Sequence, residues 1–314
     1  MTIVHPGGPR RGAVRGRSTR ARAEGRTVLR YPRAVRLAWA TDIHLDFLGD
    51  DAVRRFAAEL AAPRADALIL SGDLSHAELL EHHLRLLGQG VPGPIYYVLG
   101  NHDYYGSSVA AVRQAVGELG LRRPRLCWLP AAGVVRLTER TALVGCDGWA
   151  DARLGAPGTT SVVLNDFFHI EELAARLDPI VRAHPPYFRG TDRGGLHAEL
   201  RARGDAEAAT CRAALAAALA EYERVLVVTH VPPFAAACWH EGRTSDDDWL
   251  PYFTCAAVGE VLRELATGAP DRDITVLCGH THGVGEAQIL PNLRVLTGGA
   301  EYRRPVLQQV LEVV

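Results

Sequence analysis

The chain has 314 residues, of which 47% are hydrophobic and 23% charged. Those proportions exclude wholesale disorder and suit one large domain or two small ones. All 35 basic residues are Arg, and without Lys no Walker A loop, protein-kinase ATP site or Schiff-base enzyme can be built.

The formal net charge of −1 is unevenly spread. Residues 1–36 hold ten Arg against Glu24 alone, a charge of +9, while the remainder carries 25 Arg against 35 acids, a charge of −10. Residues 1–33 show no sustained apolar period and contain Gly7, Gly8, Gly12, Gly16 and Gly25, so they are expected to form a disordered tail. An electrostatic tether for nucleic acid or anionic lipid, a transit peptide and an unselected extension all fit that composition. The acidic body argues against a nucleic-acid partner except through the tail.

From Val35 to the C-terminus the pattern reads as one domain, 34–314. Val35–Ala40 is a strand ending at Thr41-Asp42. Asp51–Ala62 has helical spacing, with Val53, Phe56, Ala57 and Leu60 on one side. Ala67–Leu70 is a buried strand stopping at Ser71-Gly72, and Ala77–Leu87 is a helix ending at Gly88. Ile95–Leu99 is a third strand and Ser107–Leu119 a helix closed by Gly120. This alternation predicts a parallel or mixed sheet covered by helices. Val134–Leu137 and Thr141–Cys146 read as a hairpin. Residues 147–204 form an irregular insertion with one helix near Glu171–Ala183. Asp205–Glu223 is an Ala-rich helix, Val225–Thr229 and Ile274–Cys278 are buried strands, and short strands near 286–290, 293–297 and 306–313 finish the chain.

The six Cys form no C-x-x-C and no zinc-ribbon spacing. They are expected as reduced, packed thiols, which favours a cytoplasmic protein. No apolar run reaches the roughly 18 residues of a membrane span, and the N-terminus lacks the apolar core of a secretory signal.

Binding groups in α/β sheets collect where strands end. Five strands here end in polar clusters: Asp42-x-His44, Gly72-Asp73, Gly100-Asn101-His102-Asp103, His230, and Gly279-His280-x-His282. Oxygen and imidazole together are the donor set for borderline divalent metals such as Mn, Fe, Zn or Co. If Asp42-x-His44 and His280-x-His282 are extended, both side chains of each leave the same side and can converge. Seven potential ligands exceed one tetrahedral site and suit two metal ions.

The order D-x-H, G-D, G-N-H-D, H, G-H-x-H resembles the calcineurin-like metallophosphoesterases and spans residues 42–282. The resemblance implies a four-layer αββα sandwich of two mixed β-sheets flanked by helices, with a dinuclear centre at the strand ends. It implies that Asp42, His44 and His282 hold one metal, that Asn101, His230 and His280 hold the other, and that Asp73 bridges them. It casts His102 as a non-ligand histidine beside the scissile phosphate, oriented by Asp103. In such chemistry two metals roughly 3.5–4 Å apart acidify a shared water, whose hydroxide attacks phosphorus in line, while His102 stabilises or protonates the leaving oxygen. Protein Ser/Thr phosphatases of the family carry a motif ending in Asp-Arg-Gly after G-D, and G-N-H-E. Here Gly72-Asp73-Leu74-Ser75 and Asp103 depart from both, and with His230-Val-Pro-Pro233 they look more like the bacterial phosphodiesterase branch.

Other signals are weaker. Gly88-x-Gly90-x-x-Gly93 precedes a strand and is interrupted by Pro92, so it reads as a turn rather than a dinucleotide fingerprint. Asp147-Gly-Trp149 either lines the pocket or caps the hairpin. His169, Tyr187, Phe188 and Arg189 lie in the insertion, either as a substrate lid or as plain surface loop. Asp246, Asp247 and Asp248 read as a solvated acidic turn near the metals. The expected function is metal-dependent hydrolysis of a small soluble phosphodiester or phosphomonoester. The alternatives are a nuclease recruited by the basic tail and a non-catalytic scaffold.

Deleting residues 1–33 is expected to leave hydrolysis of a nitrophenyl diester almost unchanged, because the stretch contributes no candidate ligand. Comparing full-length and truncated protein at two salt concentrations checks this. A loss confined to labelled single-stranded DNA, steepest at low salt, would promote the nuclease.

Overall fold

The computed structural model describes residues 34–184 and 192–314. The Arg-rich tail and Tyr187, Phe188 and Arg189 lie outside them. In chain order the elements begin β1 (Val35–Ala40), α1 (Asp50–Ala61), β2 (Ala67–Ser71), α2 (Ala77–Gly90), β3 (Ile95–Val98), α3 (Val109–Arg122), β4 (Leu126–Trp128), α4 (Leu129–Ala132), β5 (Val135–Arg136) and β6 (Thr141–Gly145). The insertion contributes α5 (Asp166–His169), α6 (Glu171–Ala174) and α7 (Pro179–Ala183). There follow α8 (Gly194–Glu221), β7 (Arg224–Val228), β8 (Trp239–His240), β9 (Arg243–Thr244), α9 (Leu250–Phe253), α10 (Ala256–Gly268), β10 (Asp273–Cys278), β11 (Gly285–Leu290), β12 (Leu293–Thr297) and β13 (Gln309–Val313).

The strands form two mixed sheets. One runs β13-β1-β2-β3-β4, parallel except for β13. The other runs β11-β12-β10-β7-β6-β5, with a parallel centre and antiparallel edges. The side-chain period of two assigns the layers. Leu37, Trp39, Ala67 and Ile69 meet Leu143, Leu226, Val228 and Leu277 between the sheets. The alternate residues of β1 and β2, Ala38, Ala40, Leu68 and Leu70, pack with α1, α2 and α3 through Val53, Phe56, Leu84, Leu87, Val112 and Val116. On the other sheet Val225, Val227, Ile274 and Val276 pack against α8 and α10 through Cys211, Leu215, Val258 and Leu262. The expected αββα sandwich is therefore present, and continuous apolar strands are what burial on both faces requires.

Several boundaries differ from expectation. Helix α2 continues through Gly88 to Gly90, whose missing side chain admits α1: a Cβ there would lie 2.7 Å from that of Ala57. Helix α3 starts later, with Ser108 capping through its hydroxyl to the Ala111 amide, and runs past Gly120. The one helix expected near Glu171–Ala183 is two, α6 and α7, divided before Pro179, which sits in the first turn of α7 behind the capping Asp178; α5 precedes them. Helix α8 begins eleven residues before Asp205, at Gly194. Strand β4 has only three residues and is partly buried, too short to stand out from the apolar stretch it shares with Leu129.

Leu277 is fully buried between the sheets. Leu277→Ala is expected to cost about 2–5 kcal/mol of stability, measured as a lowered urea midpoint with an unchanged slope.

Candidate metal centre

Both sheets present their carboxyl ends to one spot. The loops leaving β1 and β2 are joined by backbone bonds from Asp42 to Gly72 (3.0 Å) and from His44 to Asp73 (3.0 Å). The loop after β10 is tied to that after β7 by Gly279 N–H donating to the His230 carbonyl (2.9 Å). The His280 amide donates to the Asp42 carboxylate (2.9 Å), which links the two sheets. These turns are tight: Asp42, His44, Asp73, His280 and His282 all have positive φ, from 39° to 69°. Left-handed backbone at non-glycine residues costs of order 1–3 kcal/mol each and marks sites where surrounding structure dictates geometry. Glycines allow the approach. A Cβ on Gly100 would lie 2.1 Å from Asp73 Oδ1, and one on Gly279 2.0 Å from Asp42 Oδ2.

Of the expected ligands, Asp42, His44 and His282 bring donor atoms within 4.8 Å of one another, as do Asp42, Asp73 and His230. His44 Nε2 faces His282 Nε2 at 3.3 Å, and His282 Nε2 lies 3.5 Å from Asp42 Oδ1. Asp73 Oδ1 is 3.3 Å from His230 Nε2, while Asp73 Oδ2 is 3.8 Å from His44 Nε2. Asp73 therefore spans the two groups of donors, as a bridging carboxylate must. Asn101 Oδ1 faces His230 Nε2 at 3.1 Å. His280 donates from Nε2 to the Tyr252 carbonyl (2.9 Å), leaving its lone pair on Nδ1. His230 is fixed in the opposite sense, Nδ1 donating to the Ser71 carbonyl (2.9 Å). Carbonyl partners that set a histidine's tautomer are the usual support of a metal ligand. Two imidazole nitrogens 3.3 Å apart beside two buried carboxylates form a set of converging lone pairs that divalent cations satisfy.

The electrostatics agree. Burial alone would discharge His230, but Asp73 beside it raises its pKa to about 10. Burial lowers His44 to about 4 and also lowers His280. Burial would raise both carboxylates, yet His282 and His230 hold Asp42 low, and His230 and His102 hold Asp73 low.

His102 lies beside this group, its Nε2 4.0 Å from Asp73 Oδ2 and its side chain 13% exposed. Its ring stacks on Tyr105 at 4.3 Å, and its buried Nδ1 has no hydrogen-bond partner among the described residues. Asp103 does not orient it. Asp103 accepts from the amides of Leu74 and Ser75 through Oδ1 and from Gly100 through Oδ2, each at 2.8 Å. Its carboxylate holds the β2 and β3 loops together, a role the adjacency of the two residues in sequence concealed. Asp147 likewise caps rather than lines: fully buried, it accepts from the Leu99 amide, Trp128 Nε1, the Tyr104 hydroxyl and Arg113. Asp246 and Asp248 cap a turn and hold Ser161.

A cleft of about 310 Å³ opens over the centre. Asp73, Asn101, His102, His280 and His282 face it, with Tyr302 on one side and His240, Trp249 and Phe253 on another. Val163, Leu164, Asn165 and Asp166 of the insertion line it as well. Sequence reading missed Asp166, Tyr105, Tyr252 and Tyr302. None ends an apolar strand, and two of these contacts use groups that carry no sequence signal, a backbone carbonyl and an aromatic face.

Metal loading is expected to displace a proton from His230, whose raised pKa keeps it charged at neutral pH in the metal-free chain. Cation affinity should therefore rise as pH increases from about 6 to 8. Calorimetry in buffers of different ionisation enthalpy should show net proton release; a pH-independent affinity without release would contradict the assignment.

Residues 35–284 match the calcineurin-like phosphoesterase family. No curated protein matches the sequence significantly. Among solved structures, phosphopantetheinyl hydrolase from Mycobacterium tuberculosis superposes with a TM-score of 0.55 at 17% identity, covering 84% of this chain and 89% of the other. A dimetal phosphatase from Danio rerio gives 0.50 at 14% identity, covering 84% and 87%. These likenesses establish a shared fold. With the family match over most of the domain and the donor cluster at its strand ends, the chain belongs to the calcineurin-like phosphoesterase family and is a metal-dependent phosphoesterase.

Proposed function

We propose that the chain hydrolyses a small soluble phosphodiester or phosphomonoester at this cleft, using two divalent cations. The observation that carries the reading is the cleft itself: about 310 Å³, open directly over the clustered donors, with His102 on its wall. That volume suits a small ligand. Trp249 packs on Phe253 with ring centroids 4.9 Å apart, and Tyr302 lies 4.6 Å from the His44 ring. These aromatic faces offer apolar surface to the organic part of an ester.

In this reading Asp42, His44 and His282 would hold one cation, Asn101, His230 and His280 would hold the other, and Asp73 would serve both. Cations bound there supply positive charge to the phosphate oxygens and lower the pKa of a water. The chain's own contribution is orientation and proton delivery. Asp73 accepts a hydrogen bond from the His102 backbone amide (2.9 Å), so the turn that carries His102 is registered against the carboxylate that would serve both cations. The stacked Tyr105 ring holds the imidazole edge toward the cleft, and His102 Nε2 gives a proton to the leaving oxygen. Six unpaired cysteines, five of them buried, support a reducing compartment and so the cytoplasm. Among the described residues, no helix is long and apolar enough to cross a membrane.

His102→Ala is expected to lower turnover of nitrophenyl phosphodiester or monoester by roughly 10²–10⁴ while the protein still binds two equivalents of metal. Steady-state kinetics with metal analysis on the same preparation tests both halves. Loss of a metal equivalent would make His102 a ligand, a position its distance to Asp73 and His44 allows. No hydrolysis of either ester by the metal-loaded wild type would overturn the functional reading.

A further inference from the structure

The cation site assigned to Asn101 depends on which end of its amide points inward, and a residue from the insertion decides that. Asn101 Nδ2 donates to Asp166 Oδ1 at 2.9 Å, and the Tyr105 hydroxyl donates to the same oxygen. Asp166 is 7% exposed and opens α5, which Phe167 anchors in the core against Tyr252 with ring centroids 5.0 Å apart. A carboxylate only accepts hydrogen bonds. It can therefore pair with the NH₂ end of Asn101 and not with its oxygen, so Oδ1 is forced toward His230. A neutral amide at position 166 would pair with either end and leave the orientation open. The bond from Tyr105 extends the same constraint, since its ring lies on His102, inclined by 22°.

We infer that Asp166 is a positioning residue for the centre: it holds Asn101 with its oxygen toward the second cation site and Tyr105 against His102. The inference rests on the reading of Asn101 as a cation ligand.

The test titrates the metal-free full-length protein with Mn²⁺ by calorimetry, with a thermal melt on each variant. Asp166→Asn is expected to weaken one equivalent by about 10–100-fold, the usual effect of removing a ligand's hydrogen-bond partner. The other equivalent, held by Asp42, His44 and His282, should bind as in the wild type. The double variant Asp166→Asn with Asn101→Asp exchanges donor and acceptor, and the Tyr105 hydroxyl can bond either group. It is expected to recover the weakened equivalent to within about threefold of wild type, a rescue that a merely structural role for Asp166 does not predict. Two wild-type equivalents in Asp166→Asn would overturn the inference. So would parallel weakening of both equivalents, or absence of rescue in a folded double variant. Asn101→Ala separates the underlying reading: if it binds both equivalents like the wild type, Asn101 is no ligand and the inference falls with that assignment. If Asn101→Ala loses one and Asp166→Asn loses none, the ligand stands and the positioning role alone fails.

Discussion

Asp73 is the point on which the two halves of the centre meet. It is almost completely buried, and each of its oxygens faces histidines from different parts of the chain: Oδ1 toward His230, Oδ2 toward His44 and His102. A buried carboxylate in an αL turn is unfavourable on two counts, desolvation and backbone strain. Both are offset by what surrounds it. The His102 amide donates to it, His230 is charged against it in the absence of metal, and Gly100 leaves it room.

The sandwich makes that arrangement possible. Parallel strands bring their carboxyl ends to one edge of each sheet, and packing two such sheets face to face sets the two edges side by side. The interlayer residues Leu37, Ile69, Leu226 and Leu277 therefore act on chemistry indirectly, by fixing the distance between the Asp42–His44 loop and the His280–His282 loop. Side chains that reach across complete the link, above all Asp42 to the His280 amide. Asp147 does the same one layer back, joining the end of β6 to Leu99, Trp128 and Tyr104.

The insertion adds what the strands cannot. Its short helices pack through Phe167, Ile170 and Leu173 into the core of the first sheet, so residues 163–166 are held rigidly at the cleft. That packing places Val163 and Leu164 beside the aromatic wall and Asp166 under Asn101. Loops that carry function are commonly anchored in this way on a rigid scaffold.

The candidate ligands were legible in the sequence because each follows an apolar strand, and strand ends in a parallel sheet have one destination. Asp42, His44, Asp73, Asn101, His102, Asp103, His230, His280 and His282 could be singled out from that rule and from donor chemistry, as could most helices and a parallel or mixed sheet; the division into ligands and non-ligands and the two-sheet sandwich came from the family resemblance. The break before Pro179 lay in plain view, but the helical period around it was stronger than the proline signal. What the sequence could not decide was the use made of hydrogen-bonding capacity. Asp103 is beside His102 in the chain yet bonds Leu74, Ser75 and Gly100, whereas Asp166, 65 residues from Asn101, is the one that fixes a ligand. A side chain's partner is set by where its oxygen atoms point once the layers are packed. That direction depends on backbone dihedrals and on groups, such as the Tyr252 and Ser71 carbonyls, that every residue carries and no sequence pattern distinguishes.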